Sequence, residues 1–221
     1  MKKRLFVDMD GTLAEWRNIE LKIECEEDRL LVFKKMQDLL LKKDYFLSLK
    51  PHQEVVDAIR DLTHIFDVYI ISCVIETADK RPLYEKKEWL NKYLPEIDSK
   101  HMIFVPDGKD KTEYIPLGVC DTDILIDDYS KNLNEFKKAG GIGLKLLNGI
   151  NAKNGTWKGS SISKDMNFLE IENNIISVSK GNKVKAESPK RSQPILELTR
   201  DLDIEDVEFW LSVEYMSITQ D

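Results

Sequence analysis

Five short apolar runs, four of them closed by charged or hydroxyl residues, constrain this chain more than any other feature. Leu5-Phe6-Val7 stops at Asp8-Met9-Asp10-Gly11-Thr12, and Val68-Tyr69-Ile70-Ile71 stops at Ser72-Cys73. Met102-Ile103-Phe104-Val105 precedes Asp107-Gly108-Lys109-Asp110-Lys111, Ile124-Leu125-Ile126 ends at Asp127-Asp128, and Ile142 to Leu147 forms the fifth run. A run that is apolar on both sides reads as a strand covered on both faces, which is the condition of a parallel sheet. Helical patterns lie between the runs. Pro51 opens one with Val55, Val56, Ile59 and Leu62 on one side, Tyr84 to Tyr93 is a second stopped by Pro95, and Asn132 to Ala139 is a third closed by Gly140-Gly141. This alternation gives the α/β class, with a three-layer, Rossmann-like parallel sheet.

Composition narrows the function. The 221 residues carry 40 acidic against 33 basic side chains, net −7, which excludes a general nucleic-acid coat because neutralising phosphates needs a basic face. No apolar run approaches the ~20 residues of a membrane helix, and Met1-Lys2-Lys3-Arg4 leads into a run too short for a signal peptide. Cys25, Cys73 and Cys120 are too few and too scattered for a disulfide framework or a zinc site. A cytoplasmic protein without membrane or nucleic-acid polymer partners is expected, and a homodimer is compatible with the sequence. From Ile19 to Lys43 the spacing of Ile23, Leu30, Phe33, Met36 and Leu40 suggests one or two amphipathic helices. Residues 161–221 read as a C-terminal extension, with a basic linker at about 180–194. Its last part, 195–221, fits a strand and a helix equally well.

In an open parallel sheet, ligands bind beyond the carboxyl ends of the strands. The polar clusters above therefore bring Asp8, Asp10, Asp127 and Asp128 to one edge, together with Ser72 and Lys111. Carboxylates this crowded repel one another, and a hard cation with oxygen ligands neutralises them; Mg²⁺ is the usual one beside phosphate. Lys109 competes with Lys111 for the third cluster. His52, His64 and His101 are dispersed and read as surface or capping residues. Asn148-Gly149 and Asn151, near the end of the fifth run, are candidates to line the pocket, with a turn the favoured reading. Gly140-Gly141 and Gly143 do not open a helix after a strand, so a dinucleotide fingerprint is not supported.

These clusters, in this order, resemble the four motifs of the haloacid-dehalogenase (HAD)-like phosphatases, and most of all the 5′(3′)-deoxyribonucleotidases. The likeness is carried by Asp8 to Trp16, Ser72, Tyr84-Glu85-Lys86 with Trp89 and Lys92-Tyr93, Asp110-Lys111-Thr112 and Leu125 to Asp128, and covers about residues 3–150. It implies a HAD-like core formed by residues 1–16 and 51–160, with a small helical cap at 17–50 inserted after the first strand; Tyr45 to Pro51 is similar to the segment that returns from such a cap. It also implies hydrolysis of a nucleoside monophosphate in two steps. Asp8 would be the nucleophile, and Asp10 the acid and then the base. Mg²⁺ would be held by Asp8, the Asp10 carbonyl and at least one of Asp127 and Asp128. Ser72, Lys86 and Lys111 would bind the phosphoryl group. Cys73 stands where relatives place a second hydroxyl; a thiol donates weakly, so that contact is lost or passes to a backbone amide. Trp16 would lie against the base. The rival readings are a phosphatase for another small phosphomonoester, such as a sugar phosphate, and a catalytically idle nucleotide-binding module. The intact Asp8/Asp10 pair speaks against the latter.

Overall fold

The computed structural model describes residues 2–16, 34, 37–149 and 156–187, and the five apolar runs are strands in it. They are β1 (Arg4–Val7), β2 (Asp67–Val74), β3 (Met102–Pro106), β4 (Ile124–Asp127) and β5 (Ile142–Leu147). The helices are α1 (Gln53–Leu62), α2 (Arg81–Tyr93), α3 (Ser130–Lys138) and α4 (Phe168–Ser179). A sixth strand, β6 (Ser160–Ser163), completes one sheet of order β3-β2-β1-β4-β5-β6 in which every pair is parallel.

The sheet divides the apolar side chains by the two-residue period of a strand. Leu5 and Val7 face one side, with Val55, Val56, Ile59 and Leu62 of α1, Trp89 and Leu90 of α2, and Ile171, Ile175 and Val178 of α4. Phe6 faces the other side, with Ile71, Leu125 and Leu133 and Phe136 of α3. This is the three-layer α/β architecture expected. Strand order reverses at β1, whose neighbours are β2 and β4, so the ends of β1 and β4 lie side by side: Val7 pairs with Ile126, and the Asp8 N–H donates to the Ile126 carbonyl at 2.9 Å.

The sequence sets the core's end at 160, yet the sheet runs on through Ser163 and α4 packs into the core beside α1. Ser160-Ser161-Ile162-Ser163 has no apolar run to betray it. Its buried hydroxyls instead accept from the backbone, Ser160 Oγ from Val184 N–H and Ser161 Oγ from Ala186 N–H. Ser161 also bonds the backbone of Val184 and Ala186 at 3.1 and 3.0 Å, so residues 184–186 flank the sheet edge within what reads as a linker. The alternation at 195–221 and most of the helical spacing at 19–36 lie outside the described residues; residues 37–40 are helical.

His52 is neither at the surface nor a side-chain cap. It precedes α1 without a capping bond from its ring and is buried. Burial, aided by Lys164 and opposed by Asp165, pushes its pKa down from 6.5 to about 4. His64 is exposed, and His101 Nε2 lies 3.1 Å from an Asp67 oxygen.

Two outcomes follow from this packing. Ile175→Ala should cost about 2–5 kcal/mol in urea denaturation, as a fully buried isoleucine does, whereas a side chain on a loose appendage would cost under about 1. As pH falls from 6.5 to 4, an unfolded chain takes up a proton on His52 that the folded chain refuses. Stability should therefore drop by about 3 kcal/mol across that window relative to His52→Gln, and a pH-independent difference between the two proteins would contradict it.

Candidate active site

Beyond β1 the chain makes a tight turn. Leu13 and Ala14 N–H groups both donate to the Met9 carbonyl, and Gly11 N–H donates to Ala14. Gly11 has φ of +76°, and a Cβ there would lie 2.2 Å from Asp128 Oδ2. The turn therefore rests directly on the end of β4, a closeness that only glycine permits. Met9 is buried between Asp8 and Asp10; Asp8 is buried and Asp10 partly exposed.

Carboxylate oxygens of Asp8, Asp127 and Asp128 all lie within 4.8 Å of one another, and all three residues are buried. Lys111 enters from a short 3₁₀ turn, Lys111–Tyr114, that is capped by the Asp110 side chain. Its Nζ donates to Asp8 Oδ1 at 2.6 Å and to Asp127 Oδ2 at 2.7 Å. Burial opposes the charge on Lys111, but Asp127 and Asp8 outweigh it and hold the ammonium protonated. Burial also raises Asp8 to about 7, with Lys111 acting in the opposite sense and Asp127 and Asp10 reinforcing the rise. Three carboxylates against one ammonium leave a formal charge of −2. A divalent cation with oxygen ligands matches that donor set in both charge and chemistry.

A second ion pair lies beside the first. Lys86, buried on α2, donates to Asp10 Oδ2, to Ser72 Oγ at 3.0 Å and to the Cys73 carbonyl. Asp10 Oδ1 is buried and has no hydrogen-bond partner among the described residues. Cys73 is a neutral thiol, pushed up to about 11 by burial. Of the competing lysines, Lys111 reaches the site and Lys109 is exposed. Trp16 is half-buried at the end of the described turn. Thus Asp8, Asp127, Asp128 and Lys111 converge, with Asp10, Lys86 and Ser72 as an adjoining group.

Two asparagines complete the arrangement. Asn132 Nδ2 donates to Asp127 Oδ2 at 2.9 Å, and the Tyr129 N–H donates to Asp127 Oδ1 at 2.8 Å. Asn148, a pocket candidate for which the sequence favours a turn, is buried and donates to Asp128 Oδ2 at 2.8 Å and to the Gly11 carbonyl at 3.0 Å; Asn151 lies outside the described residues. The only sign of Asn148 in the sequence is a polar residue closing the fifth apolar run. Asn132 has none.

Residues 32–155 match the family described as 5′ nucleotidase, deoxy (pyrimidine), cytosolic type C protein. The 5′(3′)-deoxyribonucleotidase of Clostridium acetobutylicum is 30% identical over 156 residues, which span 62% of this chain and 78% of that protein. Among solved structures, a HAD family hydrolase from Deinococcus radiodurans with bound phosphate and sodium is 12% identical at a TM-score of 0.48, covering 84% of this chain and 99% of its own. A HAD-superfamily hydrolase from Ehrlichia chaffeensis is 13% identical at 0.44, covering 80% and 98%. The chain is a phosphoric monoester hydrolase of the nucleotidase type. It belongs to the 5′ nucleotidase, deoxy (pyrimidine), cytosolic type C family. The family match begins after Asp8 and Asp10, so their place beside Asp127 rests on the geometry above.

Removing the ammonium should expose the repulsion it balances. Lys111→Met is expected to cost about 3–5 kcal/mol in urea denaturation with chelator present, and adding Asp8→Asn should recover part of that loss. A cost below about 1 kcal/mol would show that Lys111 is not what balances Asp8 and Asp127.

Proposed function

We propose that this protein is a Mg²⁺-dependent phosphatase of nucleoside monophosphates, with deoxyribonucleoside 5′-monophosphates as its substrates, acting through an aspartyl-phosphate on Asp8. The observation that carries the reading is the Asp8 carboxylate: buried, gripped by Lys111 through Oδ1, and grouped with Asp127 and Asp128. The substrate class is supported by family membership and by the name of the Clostridium acetobutylicum relative.

In this reading an Asp8 oxygen attacks phosphorus, the bond to the leaving ribose oxygen breaks, and Asp10 gives that oxygen a proton. Water then attacks the acyl phosphate, Asp10 takes its proton, and the Asp8–phosphorus bond breaks to release inorganic phosphate. Asp10 suits both steps, since Lys86 holds Oδ2 while Oδ1 is left without a protein partner among the described residues. Ser72, Lys86 and Lys111 surround the phosphoryl oxygens, with Cys73 beside them as a neutral thiol; positioning and charge stabilisation supply most of such catalysis. Asp8, Asp127, Asp128 and the Asp10 carbonyl would hold Mg²⁺, which would neutralise the triad and offset charge on the phosphoryl group. We read residues 17–50 as a cap, of which 17–33, 35 and 36 lie outside the described residues, and Trp16 at its start would lie against the nucleobase. Among the described residues no helix is long and apolar enough to cross a membrane. A cytoplasmic location is supported by the family's description.

A phosphate-release screen over nucleoside and sugar monophosphates, with and without Mg²⁺, tests the proposal. Deoxyribonucleoside 5′-monophosphates should turn over fastest, chelator should stop turnover reversibly, and Asp8→Asn should lower kcat by at least about a thousandfold with the fold intact. Preference for a sugar phosphate would overturn the substrate class. Full activity in excess chelator would overturn the metal role, and an active Asp8→Asn would remove the nucleophile.

A further inference from the structure

Helix α2 does more than carry Lys86. Arg81, Glu85 and Trp89, spaced one turn apart, present a single face. That face grips the backbone of residues 41–49, the limb returning toward α1. Arg81 Nη2 donates to the Leu41 carbonyl, and Trp89 Nε1 donates to the Leu49 carbonyl at 2.9 Å. Between them, Glu85 Oε1 accepts from the Asp44 N–H at 2.8 Å and Oε2 from the Phe46 N–H at 3.1 Å. Glu85 is buried, and burying a carboxylate is costly unless it is hydrogen-bonded. Asp44, at φ of +61°, bends the chain so that its own N–H and that of Phe46 both meet one carboxylate.

The bend sets Phe46 where its ring faces the site. Phe46 is 2% exposed, and Lys86 Nζ stands 4.6 Å from its ring centroid. The ammonium's partners are Asp10, Ser72 and the Cys73 carbonyl, so the ring covers a further side of the cation. Glu85 and Lys86 are adjacent on the helix, one turned to the limb and the other to the chemistry. We propose that Glu85 is a positioning residue for the hydrolysis: by anchoring the turn at 44–46 it seats Phe46 against Lys86 and fixes the ammonium where the phosphoryl group is bound. The proposal rests on the phosphate-binding role of Lys86 given above.

Fluorinated phenylalanines at position 46 keep the ring's shape while weakening its negative face, so they separate cation binding from packing. With the full chain in Mg²⁺, KM for a generic phosphomonoester and the inhibition constant of inorganic phosphate should both rise, by about threefold or more for the pentafluoro ring and less for the monofluoro ring. Glu85→Gln, which turns one acceptor into a donor facing a backbone N–H, should shift both constants in the same direction. Constants that stay flat across the fluorinated series in an active enzyme would overturn the proposal, as would a Glu85→Gln protein with unchanged constants. A wild-type protein that neither hydrolyses phosphomonoesters nor binds inorganic phosphate would instead overturn the phosphatase reading itself, and this proposal with it.

Discussion

Repulsion among three buried carboxylates is the constraint around which the rest of this molecule is arranged. Asp8, Asp127 and Asp128 stand too close to be tolerated at low dielectric without compensation. Lys111 supplies one positive charge, shared between Asp8 and Asp127. Asn132 and the Tyr129 N–H steady Asp127, and Asn148 steadies Asp128. Even so, Asp8 is held well above the ordinary carboxylate range, because burial outweighs the lysine. The charge left over is what the proposed divalent cation would neutralise.

What lets such a cluster form is the sheet. Parallel strands deliver their carboxyl ends to one edge, and the reversal of order at β1 puts the residue after β1 next to the end of β4. Apolar packing on both faces makes that edge stiff, so side chains far apart in sequence meet at hydrogen-bond distances. Gly11 belongs to the same logic: the turn can press against Asp128 only because no Cβ intervenes.

Helix α2 links this edge to residues 41–49. Its buried residues include Glu85 and Lys86, two charges, beside Trp89 and Leu90, two apolar anchors. Trp89 and Leu90 hold the helix to the core, and the two charged residues are buried because each has polar partners waiting. A helix of ordinary amphipathic design would have exposed them.

The sequence alone determined the frame. Short apolar runs alternating with helical patterns read as strands covered on both faces, and their polar endings marked Asp8, Asp10, Ser72, Asp127 and Asp128, with Lys111 or Lys109, because the carboxyl edge of a parallel sheet gathers whatever ends its strands. Strand β6 was not legible, since Ser160 and Ser161 are buried by bonding to residues 184–186 rather than by being apolar. Only the tertiary structure decided that Lys111 and not Lys109 enters the cluster, that His52 is buried, that Asn132 and Asn148 hold the carboxylates, and that the Phe46 ring lies against Lys86. Each of these depends on a distance between segments remote along the chain. Periodicity records which side of its own element a residue occupies, and carries no information about what stands opposite.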